Sequence, residues 1–210
     1  MTGKHWYTFL LRERVTHTNS ELGDPTSPMV LRMSRVEERD PEYDWQLSYV
    51  MARKKGLDPD KKSFNFVLIN GLLPYRDRLS ELLLNTSPAC PHCPAPQPIE
   101  SALHYFFYCN INSGAGEAVI SLVRPYDQTL NHTKALRLEV ECDRVYETAA
   151  ILILSTELQL IHKRRKENRK TSVREVRAEL EALCALLGRT KARKLREAGS
   201  MVRNQISNFM

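Results

Sequence analysis

The sequence predicts a mostly α fold: an irregular helical domain with an embedded Cys-Cys-His-Cys knuckle, followed by a C-terminal antiparallel helical hairpin. Three observations carry that expectation. Apolar residues recur at spacings of three and four, with caps and breakers where helices should start and stop. Only eight glycines occur in 210 residues, which argues against the many turns of a large sheet. Finally, Cys90-Pro-His-Cys93 is followed by a proline-rich spacer, His104 and Cys109, and the middle of the chain is organised around that cluster.

Residues 1–40 read as an extended or partly disordered N-terminal segment, because its two short apolar runs are separated by Thr, Asn, Ser, Asp and Pro residues. A helical domain carrying the cluster is expected over 41–135. Its first helix, 41–55, opens on Asp40-Pro41, a cap followed by proline. It carries Leu47, Val50 and Met51 and stops at Gly56. Asp58-Pro59 starts the second, with Phe64, Val67, Leu68 and Leu72 apolar, and Gly71 to Pro74 breaks it. A third short helix covers 76–84. A fourth covers 100–108, with Leu103, Phe106 and Phe107 apolar. Two glycines make 110–116 a turn, 117–123 reads as a short helix, and 124–133 as a loop around Pro125.

The hairpin, with basic ends, is expected over 136–199 and a frayed tail over 200–210. Its first helix runs from Cys142 or Asp143 to about Lys166. Its second starts after Ser172, where Ser172-Val-Arg-Glu175 fits the capping box. Val173, Val176, Leu180, Leu183 and Leu187 then repeat at alternating spacings of three and four, the seam of two heptads. Cys142 and Cys184 have no ligand-type neighbours and read as packing residues.

The chemistry lies in the cluster. Two intervening residues let Cys90 and Cys93 face one point, and His104-x4-Cys109 supplies a second pair. His104 would stand on the fourth helix and Cys109 at its end, where a slight unwinding of the last turn brings the thiol to the same side. Three thiols and an imidazole are a zinc set, and with all four positions filled by protein the site is structural rather than catalytic. His92, inside the Cys-x2-Cys turn, should point away. Pro94, Pro96 and Pro98 stiffen the spacer. Few apolar residues lie between 85 and 100, so metal should supply much of what holds that stretch.

Charge is uneven. From His162 onward there are fourteen Lys/Arg against five Asp/Glu, whereas the preceding residues hold seventeen against twenty. Six Lys/Arg fall between 162 and 170, namely Lys163, Arg164, Arg165, Lys166, Arg169 and Lys170. A second group holds Arg189, Lys191, Arg193 and Lys194. Such runs suit phosphate backbones without sequence preference, so RNA or DNA is the expected partner. The most apolar run, Ala149 to Leu154, falls short of the ~20 residues of a membrane span. Five cysteines, an odd number, and an N-terminus without a signal-peptide pattern point to a reducing, intracellular setting, nuclear or cytoplasmic.

The run Ser63-Phe-Asn-Phe-Val-Leu-Ile-Asn-Gly-Leu-Leu-Pro74-Tyr-Arg-Asp-Arg-Leu79, followed by Cys90-x2-Cys93, His104 and Cys109, resembles the zinc-binding region after the polymerase in non-LTR retrotransposon reverse transcriptases. Trp45 to Gly56 and Val173 to Leu183 are also similar to such proteins. The resemblance implies metal ligation by Cys90, Cys93, His104 and Cys109, and a module that helps a reverse transcriptase engage RNA or DNA. The sequence has no Tyr-x-Asp-Asp motif and no paired carboxylates for two metals. A non-catalytic fragment is therefore implied: a tail, relic or domesticated copy without the polymerase core. The alternative expectation is a protein-interaction scaffold that self-associates through the Val173–Leu187 seam.

Overall fold

The computed structural model describes residues 43–208, apart from 84 and 190–192. Eight α-helices and one π-turn are found among them: α1 (Trp45–Ala52), α2 (Pro59–Ile69), α3 (Arg76–Leu82), the π-turn (His104–Tyr108), α4 (Ser113–Val123), α5 (His132–Arg137), α6 (Glu147–Lys166), α7 (Val173–Gly188) and α8 (Arg193–Asn208). Extended pairing among the described residues is confined to two isolated bridges, Lys55 with Leu57 and Ala89 with Ile99. The mostly helical architecture is as the sequence predicts. Residues 46–210 form one unit, and the other, 1–45, lies almost wholly outside the described residues, as does the expectation for 1–40.

The hub is α6. Every residue from Ala149 to Leu158 is buried, the polar Ser155, Thr156 and Glu157 included, because this stretch has neighbours on all sides. It packs against α2, α4, α7, α8 and the π-turn. Ile151, Ile153, Leu154, Leu158 and Ile161 are fully enclosed, each such side chain contributing roughly 1.5–3 kcal/mol of transfer free energy. One continuous core runs from Met51 through Phe106, Val119 and Leu152 to Ile206. The stretches 41–135 and 136–199 therefore share their interior. Asn65 on α2 donates to Ser155 Oγ at 2.8 Å inside it, and Lys54 pairs with Glu147 at the start of α6.

Local chemistry sets several boundaries as expected. Asp58 caps α2 by accepting from Lys61 N at 2.8 Å. Ser172 and Glu175 form the reciprocal capping box at the start of α7. Helix α1 runs over Trp45–Ala52 rather than 41–55, its expected Asp40-Pro41 cap lying outside the described residues, and four further boundaries differ from the sequence reading. Gly114 and Gly116 lie inside α4 rather than in a turn. A Cβ at Gly116 would stand 2.7 Å from the Phe106 carbonyl oxygen, so this glycine lets α4 settle onto the π-turn. Within the region read as a loop, α5 begins at His132, where Asn131 Oδ1 accepts from Lys134 N, and it ends on Leu138 in the left-handed region. The long helix starts at Glu147, not at Cys142 or Asp143.

The fourth difference is the tail. Residues 193–208 form a helix because Ala198, Val202 and Ile206, spaced by four, are buried. Gly199 lets α8 approach α7: a Cβ there would meet Leu187 Cβ at 2.9 Å. The hairpin of α6 and α7 thus gains a third helix. That helix and α6 cover the seam, so Val176, Leu180, Leu183 and Leu187 are buried in the chain's own core and of the seam only Val173 is exposed. Four of the five seam residues are thus packed inside the chain. No described helix is long and apolar enough to cross a membrane.

Candidate metal centre

Sequence and backbone together bring the four ligands to one point. The proline-rich spacer folds back on itself: Cys90 N donates to the Pro98 carbonyl and Glu100 N to the Pro88 carbonyl, each at 2.9 Å. Proline lacks an N–H but keeps its carbonyl, so this short antiparallel pairing loses nothing by being proline-rich. Cys90 thus lies opposite Pro98 and Glu100 opposite Pro88, and both side chains reach Arg165. The second pair depends on the π-turn. Residues five apart on an α-helix lie on different faces. Here Cys109 N donates to the His104 carbonyl at 2.8 Å, an i to i+5 bond that widens the turn and swings the Cys109 thiol to the side of His104. This is the unwinding the His-x4-Cys spacing calls for.

The ligand atoms of Cys90, Cys93, His104 and Cys109 all lie within 4.8 Å of one another, and all four residues are buried. Cys90 Sγ is 3.6 Å from Cys109 Sγ, Cys93 Sγ is 3.8 Å from Cys109 Sγ, and Cys93 Sγ is 3.4 Å from His104 Nε2. A tetrahedron with metal–sulfur bonds of about 2.3 Å and metal–nitrogen bonds of about 2.0–2.1 Å has sulfur–sulfur edges of about 3.8 Å and sulfur–nitrogen edges of about 3.5 Å. The residues present therefore fit a tetrahedral metal ion. Burial, with the nearby Arg165 charge, lowers the His104 pKa, favouring the neutral imidazole that ligates metals. His92, half-buried, stays outside the four-ligand group. The thiols form their own small buried cluster, with Ile111 packed against it, separate from the main core.

Arg165 is the residue whose role the sequence does not give. It belongs to the basic run 162–170, yet only 6% of it is exposed. Its Nη1 donates to Cys109 Sγ at 2.9 Å and its Nη2 to Cys90 Sγ at 3.4 Å. The same guanidinium pairs with the buried Glu100 carboxylate and stands 4.4 Å over the Tyr105 ring. Burial works against its charge, but the bonds to Cys109 and Cys90 and the Glu100 carboxylate outweigh it, leaving its pKa above the ordinary arginine value. Arg165 is thus not available to phosphates. One signal for this was present: Leu154, Leu158, Ile161 and Arg165 are spaced by four, three and four, so the arginine continues the buried stripe of α6. Glu100 and Tyr105 carry no such mark, because their bonds to Arg165 span some sixty residues.

The other basic candidates divide. Arg164 pairs with Glu167 and Glu175 at 3.2 and 3.1 Å, and Arg169 lies 3.6 and 3.9 Å from the same carboxylates. These two fasten the end of α6 to the start of α7. Lys163, Lys166 and Lys170 are exposed. Arg189 is exposed at the end of α7, and Arg193, also exposed, lies 3.4 Å from Glu197. Lys191 lies outside the described residues, as does the side chain of Lys194. Cys184 is buried in the main core and Cys142 half-buried, both away from the cluster. Compared with protein-family models, curated proteins and solved structures, the chain matches none.

Proposed function

We propose that this chain is a non-catalytic zinc-binding module that assists RNA or DNA binding. The observation that carries the metal reading is the agreement of three ligand–ligand distances with a tetrahedral edge, in a buried set of three thiols and one imidazole. Thiolate-rich tetrahedral sites suit zinc among the common ions. Bound there, zinc would act as a cross-link between the Cys90–Cys93 turn and the π-turn. Four protein ligands leave no position for water or substrate, and that supports a structural role. The resemblance to the zinc-binding region of retrotransposon reverse transcriptases supports the same reading.

The nucleic-acid part rests on charge. Lys163, Lys166 and Lys170 are exposed near the end of α6, and Arg165 places that end directly beside the metal centre. If the three lysines are the phosphate contacts, log affinity for duplex DNA should fall with log salt at a slope of about −2.7. Titration of labelled RNA and DNA across a salt series tests this. Binding that ignores salt, or that survives Lys→Glu at all three positions, would contradict it. Elemental analysis of the purified chain and of Cys109→Ser tests the metal part separately.

A further inference from the structure

We propose that Arg165 is the built-in counter-cation of the metal centre: it sets how tightly metal is held and how slowly the thiolates react. This rests on reading the cluster as a metal site. A divalent ion with three thiolates and a neutral imidazole carries one net negative charge. Cys90 and Cys109 are fully buried and His104 is 7% exposed, so that charge is enclosed, and an enclosed, unbalanced charge is costly. Arg165 supplies one positive charge at hydrogen-bond distance from two of the three sulfurs, and the buried Glu100 carboxylate paired with it leaves the enclosed group one net negative charge rather than the two it would carry without the arginine.

The geometry makes the choice of arginine specific. Its planar fork donates two N–H groups to two sulfurs on different arms of the site, the Cys-x2-Cys turn and the π-turn. A lysine offers a point charge and cannot reproduce that fork. Glu100 holds the guanidinium from one side and the Tyr105 ring lies under its face, so the donors are held in place before metal arrives. Arg165 stands on α6, whose Ala149 to Leu154, Leu158 and Ile161 belong to the main core, whereas the thiols form a separate cluster. It therefore joins metal occupancy to the central helix. Its N–H groups also withdraw electron density from the sulfurs, which makes metal-bound thiolates poorer nucleophiles.

The test uses the full chain loaded with zinc, with Arg165→Gln, Arg165→Lys and, as a control for core damage alone, Leu180→Ala. Leu180 is fully buried between helices and touches none of the ligands. Zinc affinity is read by competition with a chromogenic chelator, and thiolate reactivity by zinc release on adding N-ethylmaleimide. Arg165→Gln should bind zinc about 10–100-fold more weakly, the usual scale for groups that support metal ligands, and should release it faster with the maleimide. Arg165→Lys should recover part of the affinity. Leu180→Ala should lower the melting temperature with no change in either zinc readout. A folded Arg165→Gln that matches the parent in affinity and release rate overturns the inference; should that variant not fold, Arg165→Lys decides by the same readouts. A parent chain that takes up no zinc overturns the metal reading, and this inference with it.

Discussion

The middle of α6 and the segment from Pro88 to Glu100 are held by opposite means. Around Ile153 most buried neighbours are apolar, so stability is spread over many side chains. Around Cys90 the buried apolar set is three thiols with one partly buried isoleucine, and residues 94 to 99 are exposed. The first region is built by excluding water. The second has too little apolar surface for that, and under the zinc reading one coordination event replaces it. Damage to the core should therefore be graded and shared, whereas damage to the metal centre should be local and complete.

The largest expected effect comes from breaking the second region. Chelation, or Cys109→Ser, should abolish metal binding, whose apparent free energy in structural zinc sites is about 10–16 kcal/mol. Amide exchange should then rise from Pro88 to Glu100 while the middle of α6 stays protected. Equal loss of protection in both would dissolve the contrast. Next comes Ile153→Ala in the first region, expected to cost about 2–5 kcal/mol in denaturant unfolding with metal content unchanged at low denaturant. Gly199→Ala should cost about 1–3 kcal/mol, because the added Cβ meets Leu187 where α8 approaches α7 most closely. Ser172→Ala removes the α7 capping box and should cost about 0.5–2 kcal/mol.

A pH effect separates the regions in another way. Burial, with the nearby Lys166 charge, lowers the His162 pKa from 6.5 to about 4. The folded chain holds this ring neutral, so its contribution is present above about pH 6.5 and is lost as pH falls towards 4. Chemical denaturation at several pH values should show a shallower decline for His162→Gln than for the parent. Equal slopes would mean that His162 is not part of the acid response. The ring accepts from or donates to Tyr105 at Nδ1, and Tyr105 lies under Arg165, so the half-buried histidine connects to Arg165 through Tyr105.

How much of this could be read from the chain varies with the range of the interactions involved. The ligands of the centre could be identified because Cys-x2-Cys and His-x4-Cys are local spacings. So could the cap at Asp58, the capping box at Ser172 and the apolar stripe of α6, since each is written within a turn or two. Helix α8 was harder. Its buried face is only Ala198, Val202 and Ile206 within a polar stretch, and Gly199 resembles a breaker until Leu187 is seen against it. The glycines of α4 misled for the same reason: Gly116 answers to Phe106, a tertiary neighbour. Arg165 shows the limit most clearly. Composition places it with the basic run, and only its register on α6, with Cys90 and Cys109 more than fifty residues away, moves it inward.

Native mass spectrometry of the purified chain, before and after a chelator, tests the central claim most directly. The account predicts a single zinc ion per chain, removed by the chelator and absent in Cys109→Ser. A folded chain that carries no metal, and gains none when zinc is supplied, would contradict it.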